Sequence, residues 1–229
     1  MGAPAACLFD LDGLLLDTEP LHSRAWREAA RQFGLELDGM RLLMLRGRRR
    51  IDNARAVCGW IAAAGWPAPT EAELLAIQQP IAQQLLPGAP AMEGAPELVQ
   101  RCRALGVPMA LVTSSGGRSL QLKTAFHPWL EAIVVRVDGD DPDLAAGKPA
   151  PDPFLLAARR LGVAAQDCWA FEDSPAGAAA AAAAGCRVHV LLPDGVAAAD
   201  WLAQYPGDWV FLQSLQGVEL PAPGRQDDQ

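Results

Sequence analysis

The sequence predicts an α/β fold, a doubly wound parallel sheet with a helical cap domain inserted after the first strand. Short, wholly apolar runs recur along the chain, as expected for strands buried on both faces of a parallel sheet. Between residues 90 and 192 these runs alternate with segments of helical periodicity, which is the order of βαβ units. Residues 19–86 show helical periodicity without a convincing strand, which indicates the insertion.

The composition is that of a folded globular protein with acidic character. Of the 229 residues, 51% are hydrophobic and 20% are charged, enough for one sizeable core and a modest insertion. The net charge of −8 is the wrong sign for a chain that wraps nucleic acid or lies on an anionic membrane. We therefore expect a monomer whose partner is a small metabolite.

The cysteines and the N-terminus indicate a cytoplasmic protein. Five widely spaced cysteines, with no C-x-x-C pair, favour a reduced compartment. The first apolar stretch lacks a basic leader and soon reaches Asp10 and Asp12, so it does not resemble a signal peptide. No segment has about 18 apolar residues without charge or proline.

The strands and helices of the sheet domain follow from these patterns in order. Strands are predicted at 5–9, 107–112, 132–135, 168–171 and 188–192, and helices at 94–105, 116–126, 151–161 and 175–184. The last helix contains an unbroken alanine run between Pro175 and Gly185, which predicts a small-faced helix packed close to the sheet.

The insertion divides into helices at glycine and proline. Breaks are expected at Gly34, at 65–67 and at 87–88, and Pro80 is expected to kink or split the third helix. The resulting division is an α/β core at 1–18 and 88–220, a cap at 19–87 and a disordered tail at 221–229.

Carboxylates follow two of the buried strands. Asp10 and Asp12 stand two residues apart directly after the first strand, so both side chains leave the same face. Two anions held together are costly unless they share a cation or a proton. Glu172 and Asp173 end another strand and add oxygens that suit Mg²⁺. These four acids form the predicted metal site.

Two further segments complete a phosphate-binding pattern. Thr113, Ser114 and Ser115 follow a third buried strand and offer hydroxyl and N–H groups at a helix N-terminus, which is a ready anion site. Lys148 stands before a proline, whose effect on the preceding backbone directs the ammonium out of the loop. Hydroxyl and lysine bind a phosphoryl group, while the acid pairs hold Mg²⁺ and supply a nucleophile.

In this order and spacing, the residues resemble the motifs of the haloacid dehalogenase (HAD) superfamily. The matching segments are 10–18, Thr113, 147–152 and 171–175, together with the Gly-Asp-Asp-Pro sequence at 139–142. They look like the branch that holds pseudouridine-5′-phosphatase and glycerol-3-phosphate phosphatases, with beta-phosphoglucomutase nearby. The resemblance implies a HAD-like Rossmannoid core and a helical cap.

The resemblance also implies roles for the first acid pair. Asp10 would attack phosphorus to give an aspartyl-phosphate. Asp12 would protonate the leaving alkoxide and then activate water, for which its pKa should be raised while Asp10 stays ionised on the metal.

The remaining motif residues would bind the metal and the phosphoryl group. Mg²⁺ would be held by Asp10, the backbone carbonyl of Asp12 and Asp173, with Glu172 acting through its waters. Thr113 and Lys148 would hold the phosphoryl oxygens.

Substrate choice is expected in the cap, since the sheet edge touches only phosphate, metal and the bridging oxygen. His22, Arg50 and Ser114 are the predicted substrate contacts. Arginines crowd residues 46–50, but one cluster in a chain of net charge −8 gives poor support for nucleic-acid binding. The predicted activity is Mg²⁺-dependent hydrolysis of a small phosphomonoester of sugar, polyol or nucleotide type.

Two other functions would use part of this residue pattern. A sugar-phosphate mutase would share Asp12, His22 and Arg50, but the resemblance would call for a lysine in the cap, and residues 19–86 contain none. A non-catalytic phospho-acceptor of the receiver type would also combine Asp, Thr or Ser, and Lys. It would carry its acceptor on a later strand and would lack the inserted helices.

Overall fold

A six-stranded parallel sheet forms the centre of the protein. The computed structural model describes residues 2–192, 207 and 209–221. The strands are β1 (Ala6–Phe9), β2 (Met109–Val112), β3 (Val135–Val137), β4 (Cys168–Glu172), β5 (Arg187–Leu191) and β6 (Val210–Leu212). Their order is β3-β2-β1-β4-β5-β6, with every neighbouring pair parallel. The sheet therefore extends from β1 in both directions, which confirms the doubly wound fold.

The helices fall into an inserted set and a set that covers the sheet. The inserted helices are α1 (Glu19–Arg31), α2 (Gly39–Leu45), α3 (Arg50–Ala63) and α4 (Glu71–Leu85). The others are α5 (Ala95–Ala104), α6 (Gly117–Thr124), α7 (Asp152–Leu161) and α8 (Pro175–Ala183). Since α6, α7 and α8 each follow a strand, the predicted alternation of strand and helix is present.

Both faces of the central strands are buried, as the apolar runs predict. Phe9 and Phe171 belong to the core on one face, where their rings stack with centroids 5.0 Å apart. Leu8 and Ala170 point to the other face, where they pack with Phe154 of α7 and the alanines of α8. Because successive side chains point to opposite faces, the side chains within these strands are apolar on both faces. The first polar side chains therefore follow the end of each strand.

The inserted helices bury a hydrophobic cluster of their own. Its members include Trp26, Ala54, Val57, Ile61 and Leu74. They come from α1, α3 and α4, so the apolar face of each helix is covered by its neighbours. The exact division into a core at 1–18 and 88–220 and a cap at 19–87 stays a prediction.

The helix α4 is continuous through its proline. Thr70 caps its N-terminus by accepting a hydrogen bond from the Glu73 N–H, and the Glu73 carboxylate accepts one from the Thr70 N–H in return. Pro80 lies inside α4, which continues to Leu85. The proline therefore does not split the helix.

The short helix α2 was not predicted, because no helix break was expected between α2 and α3.

The third strand lies later in the chain than predicted. The apolar run at 132–135 suggested a strand, but Pro128–Ala132 forms a 3₁₀ helix and the Val134 side chain is 84% exposed. β3 is instead Val135–Val137 at the edge of the sheet. An edge strand is covered less completely than a central one, so its sequence need not be an unbroken apolar run.

The C-terminal region contributes a strand that the prediction missed. The predicted strands ended at residue 192, whereas β6 pairs with β5 through Val190 and Phe211. All three residues of β6 are only partly buried. The predicted disordered tail at 221–229 lies outside the described residues except for Pro221. In the described part of the chain, no helix has the length and apolar character needed to cross a membrane.

Candidate active site

The loops that follow three adjacent strands place the main polar residues at one edge of the sheet. β1 lies between β2 and β4, and Phe9 is paired in register with Leu111 and Phe171. The next residue, Asp10, donates its N–H to the Phe171 carbonyl at 3.0 Å. Asp10, Thr113 and the Glu172–Asp173 pair are therefore brought together because their strands are neighbours.

Three of the predicted metal ligands form a buried acidic cluster. Asp10, Glu172 and Asp173 each offer a carboxylate oxygen, and these oxygens lie within 4.8 Å of one another. All three residues are at most 2% exposed. The Oδ2 atom of Asp10 accepts no hydrogen bond from the described residues. Such a set of hard oxygen donors is suited to a divalent cation. Asp12 is not part of this carboxylate cluster.

Lys148 supplies positive charge to the acidic cluster from the opposite loop. It follows Gly147, precedes a cis peptide bond to Pro149, and is 2% exposed. Its Nζ atom donates to an oxygen of Asp10, to an oxygen of Glu172 and to the Val112 carbonyl, the last at 2.9 Å. All three ammonium hydrogens are thus used within the protein.

The charge balance of this cluster favours a cation. Burial raises the pKa of the Asp10 carboxyl to about 8, against the lowering effect of Lys148. Burial and the neighbouring Glu19 carboxylate likewise hold the pKa of Asp173 well above its ordinary value. Negative charge here is incompletely compensated by the described side chains.

A second group of contacts surrounds Asp12. Its Oδ1 atom accepts hydrogen bonds from Thr18 Oγ1 and Lys123 Nζ, both at 2.6 Å, and lies 3.3 Å from His22 Nε2. Its Oδ2 atom accepts from Ser115 Oγ at 2.9 Å and from Lys123 Nζ at 2.6 Å. Asp12 is therefore held by donors from the first cap helix and from the core.

The pKa of Asp12 is shifted in the direction opposite to the prediction. Burial raises the pKa of the Asp12 carboxyl, but the Lys123 ammonium and His22 outweigh it and hold the pKa well below its ordinary value. The Asp12 prediction was wrong because it did not include Lys123, which no sequence motif identified. Asp10 was expected to be ionised on the metal, and its pKa of about 8 is that of the carboxyl without a metal, so this expectation stays a prediction.

The predicted substrate contacts lie around a cavity between core and cap. This cavity has a volume of about 510 Å³ and is lined by Asp10, Asp12, His22, Arg50 and Ser114. His22 belongs to α1, and Arg50 is the first residue of α3. Thr113 and Lys148 do not line the cavity. Thr113 is 3% exposed, and its Oγ1 accepts a hydrogen bond from the Ser115 N–H at 3.1 Å.

Two buried amide side chains of the cap also line the cavity. Asn53 of α3 and Gln78 of α4 are 5% and 2% exposed. The Asn53 Oδ1 and Gln78 Oε1 atoms accept no hydrogen bond from the described residues. Buried polar atoms are normally hydrogen-bonded, so these two carbonyl oxygens are available to a polar ligand. The sequence pattern did not single them out, because amides inside helices are common.

The cap loop between α2 and α3 rests directly on the core. The Arg46 Nε atom lies 3.0 Å from Glu19 Oε2, and the Arg46 Nη1 atom lies 3.5 Å from Asp173 Oδ2. The Gly47 carbonyl accepts a hydrogen bond from Ser114 Oγ at 2.7 Å. Ser114, predicted to contact substrate, thus also joins the core to the cap. These contacts link residues far apart in sequence, so no spacing pattern could have predicted them.

The comparisons with known proteins identify the family of this chain. The sequence profile of haloacid dehalogenase-like hydrolases matches residues 4–185. The chain belongs to this family. It is 35% identical over 198 residues to (DL)-glycerol-3-phosphatase 2 of Arabidopsis thaliana, covering 84% of this chain and 81% of that protein. It is 38% identical over 193 residues to the "Probable pseudouridine-5'-phosphatase" of Drosophila melanogaster, covering 82% and 81%.

A solved structure supports the fold of this haloacid dehalogenase-like hydrolase. Beta-phosphoglucomutase of Clostridium difficile aligns with a TM-score of 0.77 at 19% identity, covering 94% of this chain and 93% of that one. At this identity the similarity shows the fold alone. The resemblance seen in the sequence is confirmed, and with relatives named as phosphatases the predicted class, a phosphoric monoester hydrolase, is confirmed as well.

The Gly47→Ala variant tests whether this phosphatase needs the cap loop seated on the core. Gly47 has a φ of +70°, and a Cβ atom there would lie 1.9 Å from Ser174 Oγ. We expect alanine to displace the loop and to lower kcat/KM by roughly 10-fold or more, because misplacement of the residues around a substrate is costly.

Gly65→Ala is the matched control for Gly47→Ala. Gly65 has a similar φ of +83°, but a Cβ atom there meets nothing within 4 Å. In urea titrations Gly65→Ala should lose about 1–2 kcal/mol of unfolding free energy through backbone strain, and Gly47→Ala should lose more because of its added clash with Ser174. Only Gly47→Ala should lose activity. Equal kcat/KM values for the two variants would contradict the proposed seating of the loop.

Proposed function

We propose that the protein hydrolyses a small phosphomonoester in a Mg²⁺-dependent reaction that passes through an aspartyl-phosphate on Asp10. The observation that carries the proposal is the position of Asp10. It lines the cavity and belongs to the acidic cluster with Glu172 and Asp173, and the charge of the neighbouring Asp12 acts on its carboxyl.

The acidic cluster fits the metal that HAD enzymes generally use. Asp10, Asp173 and the Asp12 backbone carbonyl would hold Mg²⁺, with Glu172 acting through its waters. When bound, the ion supplies positive charge that offsets the charge of the phosphoryl group. Glu172 already accepts hydrogen bonds from Lys148 and from Ser174 Oγ, which supports its proposed indirect role through water.

The two aspartates divide the chemistry into two steps. In the first, an Asp10 oxygen forms a bond to phosphorus, the ester P–O bond breaks, and the leaving alkoxide takes a proton from Asp12. In the second, water attacks phosphorus, Asp12 takes the water proton, and the Asp10–phosphorus bond breaks to release phosphate. The low pKa of Asp12 suits the second step, whereas the first requires that Asp12 gain a proton before the leaving group departs.

The loop after β2 is proposed to hold the phosphoryl oxygens. Thr113 does not line the cavity, and its Oγ1 atom accepts the Ser115 N–H, so its hydroxyl hydrogen would serve only a phosphoryl group that binds below the cavity wall. Ser114 lines the cavity, and because its hydroxyl donates to the Gly47 carbonyl, its backbone N–H would be the second polar contact. The Lys148 charge lies directly behind Asp10 and would oppose the charge that develops during transfer.

The cavity supports a small, polar substrate. Its volume of about 510 Å³ is in the range of small-metabolite sites. His22, Arg50, Asn53 and Gln78 give it hydrogen-bonding groups on the cap side. Hydroxyl-rich sugar, polyol and nucleoside phosphates match these groups. Glycerol phosphate and pseudouridine 5′-phosphate are the first candidates, since relatives are named for them.

The protein is also proposed to be cytoplasmic and monomeric. All five cysteines are free thiols, which supports a reducing compartment such as the cytoplasm.

A phosphorylated-metabolite panel tests the proposed function. The purified protein is incubated with glycerol phosphates, pseudouridine 5′-phosphate, hexose 6-phosphates and a hexose 1-phosphate, and products are followed by phosphorus NMR. We expect phosphate release that stops with EDTA and returns with excess Mg²⁺. Isomerisation without free phosphate would replace the proposal with a mutase. A phosphorylated Asp10 that persists for many minutes without turnover would replace it with a phospho-acceptor.

A further inference from the structure

A second buried lysine lies at the active site, outside the phosphatase motifs. Lys123 is in the last turn of α6 and is 0% exposed. The chain has only one other lysine, Lys148. Burying an ammonium group is strongly unfavourable unless it is paired and hydrogen-bonded. The partners of Lys123 therefore indicate why a lysine occupies this position.

Lys123 contacts the carboxylate of Asp12 and the hydroxyl of Ser115, which belongs to the loop proposed to bind phosphate. Its Nζ atom lies 2.6 Å from each oxygen of Asp12 and 2.6 Å from Ser115 Oγ. Ser115 Oγ itself donates to Asp12 Oδ2 at 2.9 Å, so the three side chains form a closed triangle. Asp12 belongs to the loop after β1 and Ser115 to the loop after β2. The ammonium thus joins the two loops at the point where substrate would bind.

Lys123 constrains Asp12 more fully than its other contacts do. Thr18, His22 and Ser115 each contact a single Asp12 oxygen, whereas Lys123 contacts both. Thr18 directly precedes the first cap helix and His22 lies within that helix, while Lys123 lies on a helix that covers the sheet. The Lys123 contact therefore fixes the carboxylate relative to the core.

We propose that Lys123 is a positioning residue of the phosphatase, which holds the Asp12 carboxylate beside the phosphate-binding loop through Ser115. This inference rests on the proposed role of Asp12 as the group that transfers protons. Without the ammonium, the carboxylate can rotate about its side-chain bonds away from the leaving group and from the attacking water. A displacement of about 1 Å at a reacting group can cost about 100-fold in rate.

The test compares Lys123→Met and Lys123→Gln with the wild-type enzyme. The methionine removes the charge and the donors at similar volume, and the glutamine keeps one donor. We expect kcat for an alkyl phosphate to fall by about 100-fold in Lys123→Met and about 10-fold in Lys123→Gln, with KM changed less than about 3-fold. Thr124→Ala, next to Lys123 on α6, is the control, because Thr124 bonds only the Leu120 carbonyl and should leave kcat unchanged.

An aryl phosphate separates positioning of Asp12 from a general structural role. p-Nitrophenolate leaves without a proton, so formation of the aspartyl-phosphate from this substrate does not need Asp12. The first-turnover burst of p-nitrophenolate should be retained in both Lys123 variants, while steady-state release slows with the second step. The proposal would be overturned if the rate of the burst fell by the same factor as kcat for the alkyl phosphate. It would also be overturned if kcat for the alkyl phosphate were unchanged.

The outcomes distinguish this inference from the proposed function. If the wild-type enzyme turns over neither substrate, the proposed function fails. If the wild-type enzyme is active and the Lys123 variants match it, only the Lys123 inference fails. If Lys123→Met does not fold, Lys123→Gln decides by the same burst and kcat measurements. In the Asp12→Asn background, Lys123→Gln should cause no further loss of kcat, because a residue that acts through Asp12 has nothing left to position.

Discussion

The Asp10→Asn variant is expected to release no phosphate above background, a loss of about 1,000-fold or more in kcat. Asparagine has nearly the shape of aspartate, but its neutral amide does not form the covalent bond to phosphorus. The fold should be retained, because the amide oxygen can still accept the Lys148 hydrogen bond. Phosphate release and mass spectrometry of the acid-quenched enzyme provide the measurement. Wild type should show a phosphorylated species that the variant lacks, and residual turnover near the wild-type rate would exclude Asp10 as the nucleophile.

The same variant should change how stability depends on pH. Burial raises the pKa of Asp10 from 3.8 to about 8, so the native state holds a proton that the unfolded chain releases between these values. The free energy of unfolding of the wild type therefore receives a contribution from Asp10 that falls as pH rises from about 4 to 8. Asparagine lacks this contribution. The variant should gain stability relative to wild type across that range, by up to about 1.4 kcal/mol per pH unit.

Urea titrations in EDTA between pH 5 and pH 8 measure this difference. EDTA is needed because a bound divalent cation would lower the Asp10 pKa. Asp173 shifts in the same direction, and Asp10 is one cause of its raised pKa, so the variant also lowers the Asp173 pKa and the two contributions to the difference have the same sign. A stability difference that is constant or falls with pH would contradict a raised Asp10 pKa.

The sequence was sufficient to predict the parts of the site that follow from sheet topology. In a parallel sheet the carboxyl ends of neighbouring strands lie together, so residues directly after apolar runs must meet. That rule placed Asp10, Thr113 and the Glu172–Asp173 pair correctly relative to one another. It worked because β1, β2 and β4 are central strands, whose apolar runs are unbroken and easy to recognise.

Contacts made from helices could not be predicted in the same way. Whether Lys123 faces solvent or Asp12 depends on the rotation of α6 about its axis, and the surrounding polar residues of α6 give little amphipathic signal. Arg46 reaches Asp173 only because the cap loop is seated on the core. Both contacts depend on how two elements pack, which residue spacing along one element does not specify.

The pKa values show how one unpredicted contact changes a mechanistic expectation. From the motif alone, Asp12 was the group to be held neutral. The Lys123 ammonium reverses this expectation, because it holds the pKa of Asp12 well below its ordinary value. Protonation of a motif residue therefore depends on its whole environment rather than on the motif.

Replacing Lys148 by methionine is expected to destabilise the protein and to inactivate it. The ammonium contacts Asp10 and Glu172, both buried, and methionine leaves these carboxylates without their shared cation. Breaking a buried ion pair by removing one partner costs about 3–5 kcal/mol. Urea titration should show that loss, and kcat should fall by about 100-fold or more because the charge opposing the phosphoryl group is gone.

A double variant separates these two effects of Lys148. Adding Glu172→Gln to Lys148→Met removes one of the uncompensated charges, since the Glu172 side chain is fully buried. The free energy of unfolding should recover by about 1–3 kcal/mol relative to Lys148→Met, because a neutral amide is less costly to bury than an unpaired carboxylate. Activity should not recover, because the cation is still missing and Glu172 is itself a proposed metal-site residue. If stability and activity recovered together, the inactivity of Lys148→Met would be a consequence of misfolding, and Lys148 would have no direct part in phosphoryl transfer.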